Sequence, residues 1–141
     1  MPLWKFRDYW PSAVKCPIAD WYAGICVEAQ AAFDATWDDL AKTENWDDPE
    51  EVPSFKALTE KADHLGLGEV RFYIVTHQPG QKQKKRNFRA IGLWKREARE
   101  FIFLTGFEKS GRVTIPPNAM QDAQTMRIAL ENEEGEIHDH D

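Results

Sequence analysis

A chain of 141 residues with a formal net charge of −6 at pH 7 is sized for one domain with a single core. Aromatic residues make up 12% of it, six tryptophans among them, which favours a packed core over disorder. It has no apolar run near the roughly 18 residues of a membrane helix and no signal-peptide layout, so we expect a cytoplasmic protein without a membrane partner. Cys16 and Cys26 lack C-x-x-C spacing, which excludes a disulfide framework and fits a reduced compartment.

The N-terminal part predicts a strand followed by a long helix. Residues 3–10 alternate apolar with charged side chains, and Pro11 ends the run, as expected of a strand. From Ile18 to Leu40, apolar residues recur at three- and four-residue steps, which predicts a helix with an aromatic stripe. Such a stripe is far more often core than binding site. Cys26 lies on it and is expected to be a small buried hydrophobe rather than a nucleophile.

An acidic segment and a short helix follow. Residues 34–51 contain eight acidic side chains against Lys42 alone. They lack EF-hand spacing and interleaved histidines, so we interpret them as a solvated acidic edge rather than a metal site. Pro53 and Ser54 then predict a short helix over residues 55–62.

Three short runs rich in β-branched and aromatic residues predict a three-stranded antiparallel meander over residues 66–109. In the first two runs a period of two places Arg71 and Arg89 each on one face of the sheet. The sequence leaves open whether those two faces coincide. The third run, residues 101–107, is almost wholly apolar, which suits a strand covered on both faces.

Charge is concentrated in this meander. Residues 82–112 hold ten Lys or Arg against three Glu, a balance of +7, and the remaining 8 basic and 21 acidic residues give −13. A cationic region can attract phosphate locally although the whole chain is acidic, because charges are screened beyond a Debye length. The loop after the first strand ends in cations that we expect to contact an RNA backbone: Lys82, Lys84, Lys85 and Arg86. A solvated, lysine-rich hairpin is the alternative interpretation.

The chain closes with a predicted helix and a tail. Pro116 and Pro117 precede a moderately apolar helix over residues 118–132. Residues 133–141 are acidic and contain His138 and His140, too sparse for a metal site, so we expect a disordered tail after a single domain of residues 1–132. Nothing in the sequence predicts a cofactor.

Four motifs in the second half carry a family resemblance. They are Leu-Gly-Leu-Gly-Glu-Val-Arg at 65–71, Asn-Phe-Arg at 87–89, Phe-Leu-Thr-Gly-Phe-Glu-Lys at 103–109 and Thr-Ile-Pro-Pro-Asn-Ala-Met-Gln-Asp-Ala at 114–123. Their order and spacing resemble the RelE/ParE superfamily of bacterial toxins, in particular its HigB-like, phage-derived branch, over roughly residues 52–131. The resemblance implies a RelE-like α+β fold. In that fold an antiparallel sheet has an N-terminal strand, long and short helices packed on it, a three-stranded meander and a C-terminal helix.

The resemblance also implies a function. It describes the toxin of a type II toxin-antitoxin pair, an mRNA endoribonuclease (mRNA interferase) that acts without metal, often on the ribosome, under a helix-turn-helix antitoxin. Arg89 matches the family's functional arginine, Lys109 lies where relatives commonly place a cation, and Arg71 matches the arginine of the preceding strand. RNA cleavage at a 2′-hydroxyl needs a base as well as cations. The candidate bases are Glu69 and Glu108, and neighbouring cations would weaken both as bases.

Two departures from the family pattern keep other function classes open. The net charge is negative, and the region where some relatives place an active-site Tyr or His offers neither. One alternative is a non-catalytic phage or host interaction module on the same fold, whose cationic sheet binds an acidic protein partner. Another is poisoning of DNA topology, as in ParE relatives. A purely structural role is also open for Arg71, which would only fix strand order if it paired with Glu69 or with a carboxylate of a neighbouring strand.

Overall fold

The computed structural model describes residues 2–58 and 66–140, which form an α+β fold of three helices and a seven-stranded, mostly antiparallel sheet. The helices are α1 (Pro17–Gly24), α2 (Val27–Ala41) and α3 (Ala119–Glu131). The strands are β1 (Lys5–Trp10), β2 (Phe55–Leu58), β3 (Leu67–Thr76), β4 (Lys84–Lys95), β5 (Glu100–Ser110), β6 (Val113–Ile115) and β7 (Glu136–Asp139). None of the helices in this part of the chain has the length and hydropathy needed to cross a membrane.

The strand order is β2-β3-β4-β5-β1-β7, with β6 paired to the C-terminal part of β5. Strands β3, β4 and β5 form the predicted antiparallel meander. The expectation of a wholly antiparallel sheet is corrected at one place, because β1 pairs with β5 in parallel, Phe6 opposite Phe101. Parallel neighbours need a long crossover connection. Here the chain passes through α1, α2 and the strands β2 to β4 before it reaches β5.

The predicted long helix is two helices. Ile25 and Cys26 between α1 and α2 have extended backbone, with ψ of 161° at both residues. Gly24, a poor helix former, ends α1. The break lets α1 pack on β5 while α2 packs on β3. At the α1 contact the ring of Trp21 lies where a Cβ at Gly106 would be, so only glycine fits there.

Residues 55–58 form strand β2 and not the start of the predicted short helix, and residues 59–62 of that prediction lie outside the described residues. Phe55 pairs with Val70 and Lys56 with Glu69 along the edge of β3. Phe55 is buried against the core, and this non-local burial outweighs the local helix signal.

Each face of the sheet carries its own hydrophobic core. The face under α1 and α2 is aromatic, with Phe33, Phe72 and Phe103 at its centre, and the face under α3 is more aliphatic, with Ile91 and Leu104. Strand β5 supplies residues to both cores, which confirms the expectation that it is covered on both faces. The predicted C-terminal helix is confirmed as α3.

The acidic tail is ordered as far as residue 140, which corrects the expected disorder of residues 133–141; Asp141 itself lies outside the described residues. Strand β7 pairs antiparallel with β1, which would otherwise be an edge. Beyond β7, the side chain of His140 packs against Trp37 and Phe103, and its Nδ1 lies 2.7 Å from Asp8 Oδ1. The pairing of β7 with β1 and the packing of the His140 ring hold the tail in place, and the acidic composition predicts neither.

Candidate functional site

The register of β3 and β4 settles the question that the sequence left open. Arg71 lies directly opposite Arg89, and both point to the face that carries α3. Glu69, two residues before Arg71, points the same way and lies opposite Ile91. The two candidate arginines and one candidate carboxylate therefore belong to the same site.

Glu69 links the two arginines. It is only 2% exposed, and its Oε1 accepts a hydrogen bond from Arg71 Nη2 at 3.1 Å while its Oε2 lies 3.5 Å from Arg89 Nη1. Like charges directly opposite in an antiparallel pair are destabilising, and a shared carboxylate offsets that repulsion. The arrangement assigns Glu69 the role of holding two guanidinium groups in place.

A cavity of about 230 Å³ opens beside this cluster. Among the described residues that line it are Glu69 and four cations, a formal charge of +3; the cations are Lys56, Arg71, Arg89 and Lys109. We call it the cationic cavity. The predicted residues Arg71, Arg89, Lys109 and Glu69 thus meet in one place. Lys56 joins them because β2 places it opposite Glu69.

The sequence analysis missed Lys56 because it assigned residues 55–62 to a helix. A strand assignment for Phe-Lys-Ala-Leu, in which Lys56 alternates with the apolar residues Phe55 and Ala57, is the signal that would have found it.

The cationic cavity has the donors that an oxyanion needs. The side chains of Arg71 and Arg89 are 31% and 23% exposed, so both are reachable from solvent yet partly shielded from it. Arg71 Nε is buried and has no hydrogen-bond partner among the described residues. Guanidinium groups bind phosphate and carboxylate through pairs of parallel hydrogen bonds. The chemistry of these walls fits a phosphate group.

Glu108 lies on the opposite face of the sheet, away from Arg89 and the cationic cavity. It accepts two hydrogen bonds from Arg86, at 2.9 Å from Nε and 2.6 Å from Nη2. These bonds hold the pKa of Glu108 below its ordinary value and raise the pKa of Arg86. Both residues line a separate cavity of about 520 Å³ beside Trp21 and Cys26 of the α1–α2 region. Glu108 is therefore not positioned to act as a base on a phosphate at Arg89.

The four residues predicted to contact an RNA backbone divide between faces. Lys85 points to the same face as Arg89, and its Nζ lies 4.2 Å from the centroid of the Tyr73 ring. Lys84 and Arg86 point to the other face, because neighbouring residues of a strand alternate. Lys82 is exposed in the loop before β4. Of these four, Lys85 is the one that extends the cationic surface around Arg89.

The acidic segment of residues 34–51 pairs with a different set of cations. Asp47 pairs with Arg96, and Glu44 lies 3.3 Å from Arg99 in the turn between β4 and β5. A cavity of about 630 Å³ lies between this segment and that turn, and its lining includes none of the predicted site residues. Glu44 and Asp47 are therefore engaged away from the cationic cavity.

Within the described residues no group of three or more His, Cys, Asp or Glu side chains is arranged to hold a metal ion. Comparison of the chain with family models, with curated proteins and with solved structures finds no match in any of the three.

Proposed function

We propose that the protein is an RNA-cleaving toxin of a type II toxin-antitoxin pair, an mRNA endoribonuclease of RelE/HigB-like type that works in the cytoplasm on ribosome-bound mRNA. The observation that carries the proposal is the meeting of Arg71, Arg89, Lys109 and Lys56 in one cavity beside Glu69. The first three are the residues that the motif resemblance singles out, although they lie on three different strands or strand ends. Their convergence supports the resemblance independently of the motifs.

In this proposal the cavity binds the scissile phosphodiester. Attack by the 2′-oxygen forms a bond to phosphorus and breaks the bond to the 5′-oxygen, which gives a 2′,3′-cyclic phosphate and a free 5′-hydroxyl. Solvent water takes the proton of the 2′-hydroxyl and supplies one to the leaving oxygen. Arg71 and Arg89 stabilise the charge that develops on the non-bridging oxygens, and Lys109 stabilises the leaving oxygen. Glu69 positions the arginines. Loss of one such donor typically lowers the rate about 10²- to 10³-fold.

The charge of the cavity also supports a protein partner. A helix-turn-helix antitoxin would inhibit the toxin by placing acidic side chains over Arg89 and Lys109, which excludes RNA by competition for the same cations. In the acidic segment of the chain itself, Glu44 and Asp47 are engaged with Arg99 and Arg96. In this proposal the inhibitor is therefore another molecule.

One observation favours a second function, a non-catalytic module that binds an acidic protein partner. Among the described residues that line the cationic cavity, Glu69 is the one carboxylate and there is no imidazole. Both carboxylate oxygens of Glu69 are already engaged, Oε1 by Arg71 and Oε2 by Arg89. The same cations would bind the carboxylates of a partner helix without any chemistry.

A pair of arginines on the same strand makes the decisive experiment. Arg89→Gln removes a cation from the cavity, and Arg86→Gln removes a cation of equal charge from the opposite face. New mRNA 5′ ends after brief expression are mapped by primer extension. We expect discrete ends with the wild type and with Arg86→Gln, and none with folded Arg89→Gln.

Two outcomes would contradict this. Identical ends in all three proteins would remove Arg89 from the site. No ends with a soluble, folded wild type would favour the binding module.

A further inference from the structure

A second cavity, of about 580 Å³, adjoins the cationic cavity around the edge strand β2. Three residues line both spaces: Lys56, Ala57 and Arg71. Of the ten described residues that line it, three are aromatic, namely Trp46, Phe55 and Trp94; the first two are buried and Trp94 is half-buried. We call it the aromatic cavity. Its volume lies in the range of roughly 300–1,000 Å³ that is common for small-molecule sites.

The rings of the aromatic cavity are held by one another. The ring centroids of Trp46 and Phe55 are 4.9 Å apart and those of Phe55 and Trp94 are 4.8 Å apart, with interplanar angles of 55° and 57°. Trp94 is half-buried, and its Nε1 is a buried donor without a hydrogen-bond partner among the described residues. Because Nε1 is buried, it is not the part of Trp94 that a ligand in the cavity would contact.

Cations border the aromatic rings at two points. Arg71 lies at the junction with the cationic cavity, and Arg96, which pairs with Asp47, also lines the aromatic cavity. An occupant that is flat and apolar in one part and anionic in the adjoining part matches this layout. A nucleotide has that form, with its base on an aromatic wall and its phosphate on an arginine.

We propose that the aromatic cavity binds one unstacked base of the same RNA strand whose phosphate occupies the cationic cavity. The inference rests on the proposed function and adds to it a site for one base beside the site for the phosphate. A base in a duplex is stacked and paired, so it cannot enter a cavity lined by Trp94 and Phe55 without leaving the helix. Binding of the base would also fix which phosphate lies between Arg71 and Arg89.

The test uses a short, fluorescently labelled 2′-O-methyl oligoribonucleotide, which cannot be cleaved through its 2′-oxygen. A matched series carries an abasic sugar at each position in turn, so that charge is constant and one base at a time is missing. Affinity is measured by fluorescence anisotropy for the wild type, Trp94→Leu and Trp94→Phe. Trp10→Leu, a half-buried tryptophan of β1 outside the cavity, is the matched control.

We expect one abasic position to weaken wild-type binding about tenfold or more, as the loss of one stacked base does. That difference should disappear in folded Trp94→Leu, return in Trp94→Phe, and persist in Trp10→Leu. The melting temperature of each variant reports whether it is folded. If Trp94→Leu fails to fold, the abasic series on the wild type still decides whether a base is bound, and Trp94→Met takes its place in the assignment to this cavity.

The inference fails separately from the proposed function. Salt-sensitive wild-type binding that is equal for the intact and all abasic strands would overturn the base site and leave the cationic site intact, and it would favour an apolar side chain of a protein partner as the occupant. A base-dependent difference that survives in Trp94→Leu would overturn the assignment to this cavity. No wild-type binding of any strand would overturn the base site, while the primer-extension experiment decides the proposed function.

Discussion

Each face of the β3–β5 meander has a glutamate bound to arginine, but the number of arginines per glutamate differs between the two faces. On one face Glu108 meets a single arginine, Arg86, through two hydrogen bonds, and the charges cancel. On the other face Glu69 is shared by Arg71 and Arg89, one carboxylate oxygen for each. The first pair is complete, whereas the second keeps a surplus positive charge.

What differs between the regions is how many carboxylates pair with the cations, and not how many cations there are. Residues 82–112 are strongly cationic in sequence, yet Arg86, Arg96 and Arg99 are paired with carboxylates. In the cationic cavity, in contrast, Arg71, Arg89 and Lys109 lie around Glu69, the one carboxylate among the described residues that line it. A cationic surface can bind an anionic ligand where its cations outnumber the carboxylates that pair with them. Substitutions on each face of the meander should test this.

The largest expected effect follows removal of the shared carboxylate. Glu69→Gln leaves two arginines directly opposite each other without a counter-charge, so we expect it to lower the free energy of unfolding by about 2–3 kcal/mol. Glu108→Gln, the matched change on the other face, leaves one arginine near solvent and should cost about 1 kcal/mol. Urea denaturation measures both. Equal losses would show that the two faces are energetically alike.

A smaller, pH-dependent loss of stability is expected when the pair of Arg86 and Glu108 is broken. Arg86 lowers the pKa of Glu108 below its ordinary value of 4.5 in the folded protein. The stability that this contributes is present above the unfolded pKa and is lost as pH falls through the lowered folded pKa. Arg86→Gln should therefore cost about 1 kcal/mol at pH 7 and progressively less below pH 4.5, as urea denaturation over a pH series would measure. A pH-independent cost would contradict the pair's electrostatic role.

Binding of inorganic phosphate should show, without any RNA, which face of the meander binds an anion. An anion that binds the folded protein alone raises its stability by mass action, and we expect a shift of about 2 °C in melting temperature at saturating phosphate. Arg89→Gln should abolish the shift and Arg86→Gln should retain it. Differential scanning fluorimetry against a chloride control of equal ionic strength measures it. A shift that Arg86→Gln removes would place the anion on the wrong face.

The smallest effect concerns the salt dependence of RNA binding. Removal of one phosphate-binding cation changes the slope of log K against log salt by about 0.7 for single strands. Lys109→Gln should reduce the slope by about that amount, whereas Arg99→Gln, which lies near Glu44, should not change it. Affinities of an uncleavable oligonucleotide over a series of salt concentrations provide the slopes. An equal change in both variants would mean that the whole cationic region acts non-specifically.

The elements that the sequence predicts are those whose residues show a clear periodicity over a short stretch. Period-two alternation predicts β1 and the meander, the apolar run predicts a β5 buried on both faces, and the periodicity after Pro117 predicts α3. The same alternation separates Arg86 from Arg89, and Glu108 from Lys109, because an odd spacing places side chains on opposite faces. Applied within each strand, it excludes Glu108 from the cavity that contains Lys109.

Other features depend on partners that are distant in sequence. That Arg71 and Arg89 share a face follows from the pairing register of β3 with β4, which the hairpin sets and composition does not. Lys56 enters the site only because β2 pairs with β3. Residues 136–140 are ordered because they pack on β1, which lies more than 120 residues earlier in the chain. The sequence around the tail therefore does not predict that it is ordered.

The position of β1 has a consequence for the kinetics of protein synthesis. This strand lies between β5 and β7, so residues 5–10 find neither neighbour until residues 100–103 and 136–139 have been made. Pairings of such long sequence separation form slowly, because the chain must first close a long loop. A nascent Lys5–Trp10 segment therefore stays unpaired at least until β5 has been made, while the β3–β4 hairpin can already form. We expect chaperone binding and proteolysis during translation to concentrate on this segment, even though it ends in the interior of the sheet.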